Sequence, residues 1–407
     1  MNKKVRTFGL ELINDPLVRS YASILSSTSV LRIAGLIAKM LLARLFAVEI
    51  FGLINFYATV ITYFFLAMNL GFEIYFMKKC NEGLTLPEAV GIQFSMRSLL
   101  GSIFFTTLIT YAYVFIDGAD KDIFIILSLR LLLYVFDFEW LFRFRNQFNL
   151  ISKFLIFQSL SVVAFAGLVV LFPNIYLLTF SYVIGEVVKT LLYVSFLRVS
   201  LSFVSLREAI KHVRHSIFVN ASFFLVSIYY YLGVLAVGLF RSDFELGIYT
   251  AAYNVLLLAI VPTTLLQQVM IPKLAANLWN RRVYKEFAAR TILLGSIVFL
   301  GLLLFSDVII YVLYGERFEE SARVLRMMSF DILPCYLAGA FANPINVWGE
   351  YRTYMIIVAI GAAVNIVVTL VFVPSFGYAG AVAGVIAAES SVFISGLGYY
   401  YWTNKSR

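Results

Sequence analysis

Two cations sit where a membrane-crossing segment should carry none. Residues 25–46 form an apolar stretch long enough to span a bilayer, which takes ~20 residues, yet Arg32 and Lys39 lie well inside it. They are seven positions apart, two helical turns, so a helix puts both on one face together with Ser29 and Leu36. A cation at mid-bilayer costs ~2.5–3.5 kcal/mol on insertion scales. A stripe that carries two must therefore turn toward protein or water, and the chemistry it offers is capture of an anion. Arg44, at the far end of the stretch, continues the track. The plainer alternatives are that Lys39 snorkels to the interface and that Arg32 is neutralised by a structural carboxylate.

Acids are the second set. Glu73, Asp137, Glu139, Glu186, Asp331 and Glu389 fall at membrane depth. Arg130 and Asp137 are seven apart on one expected helix face, and Glu186 precedes Lys189 by one turn, an arrangement that reads as a structural ion pair. Asp331 and Glu389 have no same-helix cation one turn away. With Asp137 they are the candidates for binding and releasing a coupling ion. No Walker A pattern and no catalytic constellation occurs, so the chain is expected to be neither an ATPase nor another enzyme, and to need no cofactor. The two cysteines, Cys80 at a loop and Cys335 within a span, imply neither a disulfide nor a metal site. His212 and His215 belong to a surface helix and are read as headgroup-facing rather than catalytic.

The elements that position these residues follow from composition. At 61% hydrophobic and 14% charged, the chain has more apolar surface than a soluble domain can bury. The expected fold is an all-α polytopic membrane protein with twelve spans, near 25–46, 51–71, 94–116, 123–142, 154–172, 175–197, 217–240, 247–270, 291–313, 322–345, 354–373 and 379–401. With both termini cytoplasmic, inner segments hold 22 Lys and Arg and outer segments 5, the asymmetry expected of a multi-pass protein. The excess charge of +9 thus gives orientation, not a nucleic-acid partner. The basic N-terminal stretch is followed by no recognisable cleavage site. Leu206, Ile210 and Val213 share one face of a basic amphipathic surface helix, and 273–287 is expected to form another, anchored by Trp279.

A faint repeat divides the chain into halves, 1–200 and 201–407. Leu45-Phe46, Glu49 and Gly52-Leu53 follow the first span; Leu239-Phe240, Asp243 and Gly247-Ile248 follow the seventh. The second copy has Val226 and Gly233 where the first has its cations, and offers Asn220, Ser222, Ser227 and Tyr229-Tyr230-Tyr231 instead. One half suits charge and the other hydroxyls. A sugar joined to a phosphate would use both, with Asn220 and Tyr230 on the sugar side.

Four stretches carry a resemblance: Leu42-Ala43-Arg44-Leu45-Phe46 to Gly52; Gly247-Ile248-Tyr249 through Pro262 to Ile271-Pro272-Lys273-Leu274; Leu313 to Ala322 around Tyr314-Gly315-Glu316-Arg317-Phe318; and Val373 to Ala381 around Pro374-Ser375-Phe376-Gly377. In order and spacing the chain resembles the bacterial polysaccharide repeat-unit flippases, the O-antigen flippase (Wzx) family, of the superfamily that includes the multidrug MATE exporters and the lipid II flippase. The resemblance implies two six-helix bundles around a central cavity. It also implies an undecaprenyl-diphosphate-linked oligosaccharide as substrate, passed from the cytoplasmic to the periplasmic leaflet of the inner membrane by alternating access. Membrane lipids and other polysaccharide-assembly membrane proteins are the implied partners. Two other classes stay open. A MATE-like ion-coupled exporter predicts acids in the first span, where this chain has cations. A glycan polymerase or ligase predicts a large outer loop, and every expected outer loop here is short.

Overall fold

The computed structural model describes residues 30–31, 33–41, 43–219, 221–276 and 280–406. Among them there is no β-strand, and nine helical segments are long and apolar enough to cross a membrane, with Phe224–Phe240 as a shorter apolar helix. The chain is a multi-pass membrane protein. It groups into two compact units: the described part of Met1–Leu42 with Ala67–Val219, and Ala43–Leu66 with Asn220–Arg407. Where the repeat divides the chain at 200, contacts assign 43–66 to the second unit and 201–219 to the first.

The helices are α1 (33–41), α2 (Val48–Asn69), α3 (Phe72–Asn81), α4 (Leu86–Phe115), α5 (Gly118–Tyr134), α6 (Glu139–Phe144), α7 (Phe148–Leu171), α8 (Ile175–Phe196) and α9 (Leu206–Val219). Then come α10 (Ala221–Phe240), α11 (Asp243–Ala259), α12 (Val261–Ala276), α13 (Arg281–Tyr314), α14 (Glu319–Phe341), α15 (Asn343–Val347), α16 (Tyr351–Phe376) and α17 (Tyr378–Ser406).

In the first unit α4 begins eight residues before the expected third span. A capping box sets the start: Glu88 Oε2 accepts from the Thr85 backbone N–H (3.1 Å) and hydroxyl (2.8 Å), with Pro87 in the first turn. Phe72, Phe76, Phe138 and Trp140 build a core beside it. α9 buries Ala209 there and packs Val213 against it, which leaves Leu206 and Ile210 exposed. The three apolar residues therefore do not share one buried side. His212 is held inward by the Tyr75 hydroxyl, 3.0 Å from its Nδ1, while His215 is exposed.

In the second unit Pro262 divides the expected eighth span, because the chain turns at Ile260 and α12 restarts at Val261. Of the surface helix expected over 273–287, residues 273–276 end α12 and residues 281–287 open α13. α12 runs to Ala276, and Asn280 caps α13 by accepting from the N–H groups of Arg282 (3.0 Å) and Val283 (3.3 Å). Trp279 lies outside the described residues. Leu300, Leu304, Val308 and Tyr311 form an exposed apolar stripe along α13, as a lipid-facing helix requires.

The α16–α17 turn is clasped by α11. Glu245 accepts from the Tyr378 N–H (2.8 Å) and from Arg241 Nε (2.8 Å). Gly377 there has φ +57°, and a Cβ would meet Glu245 Oε1 at 1.7 Å. Gly377→Ala is therefore expected to lose ~1–3 kcal/mol to backbone strain and also the clasp. Gly349→Ala, at φ +89° with open space around it, loses only the backbone part. Melting temperatures of the two purified variants, ranked against the parent, check this; equal losses would show that the clasp contributes nothing.

Candidate functional site

The charged side chains of the first unit converge on a break in a helix. α5 stops at Tyr134 and α6 starts at Glu139, so residues 135–138 leave the helical path inside the expected fourth span. Interrupted backbone at membrane depth needs new partners. α4 supplies them: Gln93 Nε2 and the Arg97 guanidinium both donate to the Asp137 carbonyl, at 2.7 and 2.6 Å. Arg97 also lies over the Tyr134 ring, 4.4 Å from its centroid, and the Trp140 indole donates to Gln93.

Around this break the acids and bases alternate. Lys189 of α8 lies 3.1 Å from Asp137 Oδ2 and 2.6 Å from Glu186 Oε2. The other oxygen of Glu186 is 4.0 Å from Arg130 of α5. Lys39, half-buried on α1, is within electrostatic reach of Arg130. On the α6 side, Arg143 bridges Glu139 and Glu73, and the Tyr193 hydroxyl donates to Glu139 (3.0 Å).

The sequence-derived pairs are thus partly reassigned. Glu186 and Lys189 do pair. The helix expected to align Arg130 with Asp137 ends between them. Arg130 meets Glu186 and Asp137 meets Lys189. Arg97, within the expected third span, is buried on α4. Arg32 and Asn220 lie outside the described residues. Arg44, in the second unit, is exposed and donates to the Val312 carbonyl in the last turn of α13, which makes it a cap for a helix end.

The second unit has a different kind of site. Glu389 of α17 is 3% exposed and its Oε1 accepts from the hydroxyls of Tyr229 and Tyr230 of α10, both at 3.0 Å. Tyr230 also lies 3.9 Å from Cys335 Sγ on α14. One turn away, Asp331 is 1% exposed, and neither of its carboxyl oxygens has a hydrogen-bond partner. Among the described residues no cation lies within ion-pair distance of Asp331 or Glu389. Tyr229 and Cys335 were not singled out as site residues by sequence; only the fold brings them to Glu389.

Known proteins share this fold. A MATE family multidrug resistance transporter of the MOP superfamily in its inward-facing conformation superposes with a TM-score of 0.77 at 13% identity, over 92% of this chain and 95% of that one. The lipid II flippase MurJ in an inward closed conformation gives 0.76 at 15%, over 94% and 87%. A MOP superfamily transporter from Pyrococcus furiosus, described as having a binding pocket of reverse polarity, gives 0.62 at 15%, over 96% and 95%. At these identities the likeness concerns the fold. No curated protein sequence matches the chain. A family model described as polysaccharide biosynthesis protein matches residues 17–277, well over half of the 407. By that match over more than half of its residues, the chain belongs to the polysaccharide biosynthesis protein family.

Proposed function

We propose that this protein is a flippase that moves an undecaprenyl-diphosphate-linked oligosaccharide, an O-antigen repeat unit, from the cytoplasmic to the periplasmic leaflet by alternating access. The observation that carries the reading is the set of cations, Lys39, Arg130 and Lys189, held on α1, α5 and α8 of the first unit. Charge at that depth is retained at a cost that function has to justify. A lipid-linked glycan has a head that loses its water partners in hydrocarbon, so the protein must supply replacements while the prenyl tail stays in lipid. Arg32 and Lys39 hold the diphosphate in this reading, Arg44 serves the outer end of the track, and Asn220 and Tyr230 face the sugars. Asp331 and Glu389 couple the cycle to a proton or sodium gradient. Twelve spans in two six-helix bundles, both termini in the cytoplasm, and residence in the bacterial inner membrane beside other polysaccharide-assembly proteins complete the proposal.

The test is complementation. In a strain lacking the protein, Arg32→Gln with Lys39→Gln is expected to reduce surface display of the glycan at least ~10-fold, with lipid-linked repeat units accumulating on the cytoplasmic side. Loss of one charged contact to phosphate is worth ~1.5–3 kcal/mol. Full display from a variant inserted at normal level would end the proposal. The fold shared with multidrug transporters supports a second reading, ion-coupled export of small molecules. That reading predicts cation efflux and no accumulation of lipid-linked glycan.

A further inference from the structure

Three cations of the first unit, Lys39, Arg130 and Lys189, lie with the carboxylates of Asp137 and Glu186 beside the broken helix. Glu186 spans Lys189 and Arg130 with its two oxygens, at 2.6 and 4.0 Å. That is how one phosphate group would bridge the same two cations. The contact to Lys189 is tight and that to Arg130 long. The side chains of Arg130, Asp137, Glu186 and Lys189 are 14–19% exposed. A network of this kind is a poor device for stability, since apolar side chains of the same volume hold helices together as well or better. Its presence beside a broken helix, the usual seat of ligand sites in transporters, calls for a ligand.

We propose that Glu186, with Asp137 behind it, is a built-in stand-in for the diphosphate of the substrate, and that Arg130 and Lys189 are the cations that pass from the carboxylates to the phosphates. This rests on the flippase reading and adds residues to it. In the empty protein the carboxylates neutralise Arg130 and Lys189 and keep the site closed to stray anions. A diphosphate brings more negative charge than one carboxylate and takes over both cations, and Glu186 swings away. When the diphosphate leaves, Glu186 returns and resets the site. A self-occupied site binds its ligand more weakly by the fraction of time it stands open.

Binding of farnesyl diphosphate and farnesyl monophosphate to the purified protein in nanodiscs, at two salt concentrations, tests this. Glu186→Gln keeps the shape and an acceptor for Lys189 but removes the competing charge. It is expected to bind the diphosphate about tenfold more tightly, as removal of a closed state that dominates the ensemble requires, with a smaller gain for the monophosphate. Adding Lys189→Gln to it is expected to abolish the gain. Lys39→Gln is measured alongside as the check on the underlying reading. If Glu186→Gln binds no better than the parent while Lys39→Gln binds worse, the stand-in is wrong and the flippase reading stands. If neither variant changes binding or its salt dependence, both fall. A carboxylate that only braces the helices would lower the melting temperature in Glu186→Gln and leave the diphosphate preference where it was.

Discussion

Neutralising Asp331 and Glu389 together, as Asn and Gln, is expected to make transport indifferent to an imposed proton or sodium gradient. The two carboxyls are the most deeply buried acids of the second unit, 1% and 3% exposed, with no ion-pair partner among the described residues. An acid so placed has no structural cation to serve, and intramembrane acids of this kind mark ion paths. The fold should tolerate the change. Gln at 389 keeps an oxygen to accept from Tyr229 and Tyr230. Asn at 331 replaces a group whose oxygens accept nothing. The effect on coupling should be large, because one charge moved through 100 mV is worth ~2.3 kcal/mol, about 50-fold in a transport ratio. In proteoliposomes the parent is expected to show a gradient-dependent rate, and the double variant the same rate with and without the gradient. A double variant that still follows the gradient removes these residues from the mechanism. Asp137, the third acid suggested by sequence, is a different case. Its carboxylate is committed to Lys189, so Asp137→Asn removes one of the two carboxylates that Lys189 holds instead of removing an ion site.

What the sequence could and could not reveal divides along physical lines. Apolar length and Lys/Arg placement are summed properties of whole segments, so the membrane class and most helices were legible. The pairing of charges was not, since it depends on where a helix stops. Arg130 and Asp137 share a face only on an unbroken helix, and the break at 135–138 reassigns both. Nothing local announces that break; its donors, Gln93 and Arg97, come from another helix. Pro262 and Asn280 have local backbone effects, yet the expected span 247–270 runs through the first and the expected helix 273–287 through the second. For Arg44 the residue type was right for an anion track, yet in this structure it serves the carbonyl end of α13. Glu389 was chosen for lacking a partner on its own helix. Its partners, Tyr229 and Tyr230, stand about 160 positions away, a distance that no periodicity spans.

The faint repeat has the clearest structural consequence, and it yields the last prediction. Gly52 and Gly247, the glycines of its two copies, lie at one crossing between the first turns of α2 and α11 in the second unit. A Cβ on Gly52 would meet the Asp243 carbonyl oxygen and the Gly247 nitrogen, both at 2.6 Å. A Cβ on Gly247 would meet the Val48 carbonyl oxygen at 2.2 Å. The contact is reciprocal: residue 52 touches 243 and 247 touches 48, four residues apart on each helix. Two related segments facing each other about a local two-fold axis would meet in this way. Small residues here let backbones approach, which is how helices gain packing where lipid offers no hydrophobic drive. The obstructing atoms are mostly main chain, so no side chain can turn aside. Gly52→Ala and Gly247→Ala are each expected to lose ~1–3 kcal/mol or more, seen as a lower melting temperature and a smaller folded yield in detergent. The losses should not add, because separating the helices for one methyl makes room for the other. Gly301→Ala, in α13 with nothing within 4 Å, is the control. It should gain up to ~1 kcal/mol from helix propensity alone. Should Gly52→Ala behave like Gly301→Ala, the crossing is looser than drawn. Should the double variant lose the full sum, the two glycines do not share a contact and the repeat has no structural meaning there.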